Sequence, residues 1–158
     1  MLGILLALVG CDQQRIQELE EGVATEADVR VRFGAPETVW DEPDGSRVFE
    51  YNRQPAGQRN YQITVGPDGR MTALRQVLNP ANFASIQPGM TQAQVRRMLG
   101  RPARTTPYAL TRETHVDWRY LDGPNTAMVF SVVFSADDRV LRTASMPDPE
   151  ANEHRGGR

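Results

Sequence analysis

Thr25-Glu-Ala-Asp-Val-Arg-Val-Arg-Phe-Gly-Ala-Pro36 and Thr91-Gln-Ala-Gln-Val-Arg-Arg-Met-Leu-Gly-Arg-Pro102 align without a gap at an offset of 66, and six of the twelve positions are identical. Self-similarity at one spacing points to a repeated structural unit, and the residue types that recur explain what the unit begins with. Thr25 and Thr91 suit an N-cap, and Asp28 or Gln94 three positions on can return a hydrogen bond as in a capping box. Val29 with Phe33, and Val95 with Met98 and Leu99, fall at i, i+3 or i+4, so each helix carries one apolar stripe. Gly34 and Gly100 suit a left-handed position after the last turn, and Pro36 and Pro102 stop continuation. A helix of about two to three turns is too short to hold by itself and has to pack on something.

Outward from these cores the match continues. Ile16, Leu19 and Gly22 meet Phe83, Ile86 and Gly89 at offset 67, and Phe49 and Tyr51 meet Trp118 and Tyr120 at offset 69. Residues 47–53, 61–65 and 71–78 read as strands in the first unit, and 116–121, 128–134 and 140–145 in the second. Alternation is visible where Phe49 and Tyr51 stand against Val48 and Glu50, and where Val116, Trp118 and Tyr120 stand against Asp117 and Arg119, so each strand is expected to bury one face. Asp44-Gly45, Pro67-Asp68-Gly69, Asp122-Gly123-Pro124 and Asp137-Asp138 supply turns. The fold class expected is α+β: two tandem units, each helix, helix and a three-stranded antiparallel meander, with the helices on one side of the sheet and the other side open. The first unit is placed at 11–79 and the second at 80–146, meeting near Asn79-Pro80, with a disordered tail at 147–158.

The entry Ile86-Gln-Pro-Gly-Met-Thr91, the Val95 and Leu99-Gly-Arg-Pro102 that follow, and the aromatic-ending strands together resemble the SmpA/OmlA (BamE-like) lipoprotein family. The resemblance implies an envelope protein with an accessory place in outer-membrane β-barrel assembly. A family member ordinarily has one such unit, whereas two cover most of the stretch from Gln13 to Ser145 here. Two units in tandem also resemble the β-lactamase inhibitory protein, which grips an enzyme with its sheet. Those inhibitors carry disulfides, and a chain with one cysteine forms none within itself.

That cysteine carries a second motif. Residues Leu2 to Gly10 are apolar or small, too few to span a bilayer but matching the h-region of a signal peptide at 1–10. No positive segment precedes them, so the natural start is expected upstream of Met1. Leu8-Val9-Gly10-Cys11 resembles the lipobox of bacterial lipoproteins, which implies cleavage before Cys11 and a diacylglycerol on its thiol. An incidental thiol is the plainer alternative. The address expected is periplasm-facing, on the outer membrane rather than the inner, although Asp12 resembles the signal that retains enteric lipoproteins in the inner membrane.

Composition narrows the function classes. All 18 basic residues are arginine and the net charge is −2, with a pI near 5.7, which argues against a nucleic-acid binder. Residues 12–50 hold 11 acidic and 4 basic residues, and residues 51–119 hold 3 acidic and 10 basic. Such asymmetry suits two halves that attract or simply solvated faces. No nucleophile elbow, P-loop, His-Glu-x-x-His or Cys-x-x-Cys motif is present, so no enzyme and no cofactor is expected. Glu113, His115 and Asp117 alternate and would share one strand face, an arrangement that suits metal ligation or, more commonly, a solvated edge. His154 falls in the tail. Candidate partner-binding residues are Arg96, Arg97, Arg101 and Arg104, whose guanidinium groups suit carboxylates or phosphates, and Trp40, an aromatic among polar residues. A solvated helix face is the simpler account of the arginines, and a core position accounts for Trp40 equally well. The function expected is a membrane-anchored protein-binding scaffold, with an inhibitor or modulator of a periplasmic enzyme as the alternative.

Overall fold

The computed structural model describes residues 16–151, so Cys11, the leader at 1–10 and His154 lie outside the described residues. Two compact units separate, one from residues 16–51 with 62–75 and the other from 52–61 with 76–151. The first contains helix α1 (Glu26–Phe33) and the antiparallel meander β1 (Thr38–Asp41), β2 (Arg47–Asn52), β3 (Asn60–Val65) and β4 (Met71–Gln76), in the order β1-β2-β3-β4. The second contains α2 (Pro80–Ala84), α3 (Gln92–Leu99), β5 (Arg104–Tyr108), β6 (Glu113–Asp122), β7 (Thr126–Phe134) and β8 (Val140–Pro147), in the order β5-β6-β7-β8.

Both capping boxes form. The Thr25 and Thr91 hydroxyls accept from the backbone N–H of Asp28 and Gln94, and those side chains accept from the threonine N–H groups at 2.9 and 2.8 Å. The helices end as their glycines dictate, but Gly34 (φ 82°, ψ −161°) and Gly100 (φ 79°, ψ −170°) are not in the left-handed helical region. They occupy the extended region at positive φ, which is essentially closed to residues with a Cβ. That conformation sends the chain straight into a strand.

Those strands, β1 and β5, correct the three-stranded expectation to four in each sheet. Thr-Val-Trp-Asp and Arg-Thr-Thr-Pro-Tyr are short and polar, and β5 contains Pro107, so neither announces itself locally. Pairing creates them: Thr38 lies opposite Glu50 and Trp40 opposite Val48, while Arg104 lies opposite Asp117 and Tyr108 opposite Glu113. In the first unit the helical residues among those described before α1 are Ile16 and Gln17.

Matching hydrogen bonds recur in the two units. Gly22 N–H donates to Met71 O and Gly89 N–H to Val140 O, while Glu26 N–H donates to Gly69 O and Gln92 N–H to Asp138 O. The Tyr51 hydroxyl donates to the carbonyl of Gly34, and the Trp118 indole to that of Gly100, both at 3.0 Å. Tyr51 therefore corresponds to Trp118, at offset 67, and not to Tyr120 as the sequence alignment has it. A slip of two residues keeps every side chain on its own face, so alternation cannot detect it.

The second core lies between α2, α3 and the sheet: Phe83, Ile86, Val95 and Leu99 meet Val116, Trp118, Phe130, Val132 and Phe134, with Phe83 stacked on Phe130 at 4.0 Å. Val77 and Leu78 also belong to it, and Val77 N–H donates to Asn60 O. The chain thus passes to the second unit at 75–76, earlier than Asn79-Pro80, and residues 52–61 join that unit too. At the other end, β8 runs through Pro147, Asp148 is buried, and 149–151 form a helical turn, where the sequence suggests a tail from 147. In the first unit, Val29 and Phe33 of α1 cover Phe49 and Tyr51, with the Phe33 and Tyr51 rings 5.2 Å apart. The strand β2 does not bury one face alone, because Val48, Glu50 and Asn52 are enclosed as well.

Candidate partner-binding surface

The helix-free face of the second sheet is expected to be open, and β7 shows that it is not simply wet. Val129, Ser131 and Val133 point to that face and are buried. Their neighbours explain it. Arg142 on β8 forms a two-pronged pair with Glu113 on β6, both bonds 2.9 Å, and this bridge spans β7. Arg119 on β6 likewise reaches Asp148 beyond β8 at 2.7 Å. Between them, the Ser131 hydroxyl donates to Asp117 at 2.6 Å. A planar guanidinium suits such bridges, since it fixes two oxygens at once and lays its stem over apolar surface.

Glu113, His115 and Asp117 do share this face, as their spacing requires, with His115 Nε2 3.4 Å from Glu113 and its ring 4.5 Å from that of Tyr108. The hydrogen-bonded Arg142 guanidinium holds the Glu113 carboxyl down at about 2, with the His115 contact adding to the effect. Glu113 is thus committed to Arg142 and Asp117 to Ser131, and among the described residues no group of three side chains forms a metal site.

The predicted arginines have different fates. Arg96 and Arg97 lie on α3 and are half-buried. Arg101 is tied into residues 52–61: its N–H donates to Asn52 Oδ1 at 2.9 Å and its guanidinium to Gln54 O at 2.7 Å. Among the described residues, Arg104 on the edge strand β5 makes long ion pairs, 3.6 Å to Asp117 and 3.8 Å to Glu150, with its side chain 54% exposed. Trp40 belongs to the first unit, where its indole N–H donates to the enclosed Glu50 carboxylate at 2.9 Å.

The sequence gives no warning of the buried amides. Asn60 donates to the carbonyls of Leu99 and Arg101 at 2.8 and 3.0 Å. The Gln54 amide both donates to Arg119 O and accepts from Arg119 N–H, so it pairs with β6 as a strand residue would, at a position that precedes the start of β5. Polar residues in a predicted hairpin look like solvated turn residues, and nothing local separates the two cases.

The family described as "Outer membrane protein assembly factor BamE domain" matches residues 76–143. No curated protein matches. Among solved structures, a putative osmotically inducible lipoprotein OsmE is 20% identical, covering 50% of this chain and all of its own, with a TM-score of 0.36. A DUF4309 family protein (YjgB) from Bacillus subtilis subsp. subtilis str. 168 is 21% identical, covering 85% and 86%, at 0.34. An extracellular protein containing an SCP domain from Bacillus anthracis str. Ames is 10% identical, covering 97% and 52%, also at 0.34. Likenesses this slight say nothing of activity. The family match falls on the stretch that carries α2, α3 and β5 to β7, so it is the second unit, over residues 76–143, that is similar to a BamE domain.

Proposed function

We propose that the protein is an envelope lipoprotein, held by an acylated Cys11 on the periplasmic side of the outer membrane, that binds a protein partner within outer-membrane β-barrel assembly. The single observation that carries this is the BamE domain at residues 76–143. The lipobox-like Leu8-Val9-Gly10-Cys11 adds the anchor, and Asp12 bears on which membrane receives it. Acyl chains contribute about 0.8 kcal/mol per buried methylene, and more than one chain is needed for stable attachment. Anchoring confines the domain to a thin layer and raises its effective concentration for a partner in that layer. The recurring caps and hydrogen bonds support an origin by duplication of one unit. Of the candidate contact residues, Arg104 is the best placed, with Arg96 and Arg97 on the part-exposed side of α3. Arg101 and Trp40 act first on the fold, through Gln54 and Glu50.

Crosslinking the native protein in its own envelope, followed by mass spectrometry, tests this directly. Expected are an acylated mature N-terminus at Cys11, capture of a β-barrel assembly component, and weaker capture by Arg104→Glu. An unmodified thiol on a chain retaining its leader sinks the anchor. Capture of one soluble periplasmic enzyme, with an intact outer-membrane barrier when the gene is deleted, favours the inhibitor instead.

A further inference from the structure

Among the described residues, three of the four sheet edges are obstructed. β1 has four residues between Pro36 and Pro43, and β5 contains Pro107. Along β4, Met71 bonds to Gly22 and Ala24, and Leu74 N–H donates to the Glu21 carboxylate. β8 differs. It has eight residues, Pro only at the end, and every residue after Val140 is exposed.

Its backbone directions follow from the register. Asp148 N–H donates to Ala127 O, so Met146, Ala144 and Arg142 also turn their polar groups to β7, while Thr143, Ser145 and Pro147 turn theirs outward. The outer edge already accepts a partner at Val140, which bonds to Gly89 and Met90. Edges are commonly protected by charge, but Arg142, the one charged residue of β8, is drawn back across β7 by Glu113.

We propose that β8 is a self-association edge, pairing antiparallel with β8 of a second copy about a two-fold axis at Ala144. This register satisfies both N–H groups and both carbonyls of Thr143 and Ser145. Each Thr143 exchanges two hydrogen bonds with Ser145 of the partner subunit, giving about four in all. A shift of two residues toward the C-terminus sets Thr143 against a proline, which has no N–H to give. The chosen register places Ala144 against its own symmetry mate, where small side chains permit close approach, and Arg142 against Met146 of the partner subunit, so no like charges oppose each other. Met146, 45% exposed, would then be covered.

Sedimentation of the full chain under reducing conditions, across a concentration series, is expected to show a monomer–dimer equilibrium. Thr143→Pro and Ser145→Pro remove outward N–H groups without breaking the β7 ladder, and each is expected to weaken association roughly tenfold or more. Should a proline variant not fold, judged by circular dichroism, Ala144→Cys in a Cys11→Ser background decides. Opposed residues of a non-hydrogen-bonded pair lie within disulfide reach, so mild oxidation is expected to give a covalent dimer, and Arg142→Cys to give far less. A chain monomeric at all concentrations, association unchanged in folded proline variants, or no covalent Ala144→Cys dimer would each overturn the proposal.

Discussion

Gly100 and Gly34 end their helices in nearly the same backbone conformation, yet their surroundings differ. A Cβ on Gly34 would meet nothing within 4 Å, whereas one on Gly100 would lie inside contact distance of Asn52 Oδ1 and 2.9 Å from Asn60 Nδ2. Gly34→Ala is expected to cost about 1–3 kcal/mol from backbone strain alone. Gly100→Ala adds displacement of two buried amides and should cost roughly 2 kcal/mol more in urea unfolding. A similar loss at both sites would contradict the crowding at Gly100. Glu113 gives a pH test of the same kind. Its carboxyl is lowered from 4.5 to about 2 in the folded protein, so the stability it contributes is fully present above about pH 4.5 and is lost as pH falls toward 2. Measured between those limits, Glu113→Gln should flatten part of the acid destabilisation of the parent chain, and an unchanged slope would mean Arg142 does not hold it.

Elements in this protein are secured at their ends by side chains distant in sequence. The helix α3 finishes at Leu99, and its exit is fixed by Asn60, which bonds Leu99 O and Arg101 O while accepting from Arg53 N–H at 3.1 Å. Asn60→Ala removes all three bonds inside the second unit, and a loss of about 2–4 kcal/mol is expected in chemical denaturation, against about 1 kcal/mol for the exposed cap change Thr91→Ala. Were the two losses equal, the amide would not be the anchor of that exit. Among the described residues, the helices and six of the eight strands are legible in the sequence, because caps, apolar stripes and alternation are local properties. Strands β1 and β5 are not, since Thr38–Asp41 and Arg104–Tyr108 gain their extended form from β2 and β6.

At the scale of the whole molecule, the second unit is discontinuous in sequence. A fragment of residues 76–151 keeps α2, α3 and β5 to β8 but lacks Asn52, Gln54 and Asn60, so the Arg119 edge of β6 and the exit of α3 lose their partners. Its unfolding midpoint should fall well below that of the second unit in the full chain, and addition of a peptide spanning residues 52–61 should not fully restore it, because the hairpin strands that hold the peptide's ends are missing. A fragment as stable as the parent would make those amides dispensable. The duplicated caps, the glycine and proline exits, the antiparallel strands and the lipobox-like segment were determined by sequence alone, since each depends on neighbours within a few positions. Tertiary structure decided which arginines are spent internally, why β7 is buried on both faces, where one unit ends, and which β-edge stays uncovered. These depend on groups 29 to 65 residues away supplying the missing hydrogen-bond partners, and no local pattern encodes a partner brought close only by folding.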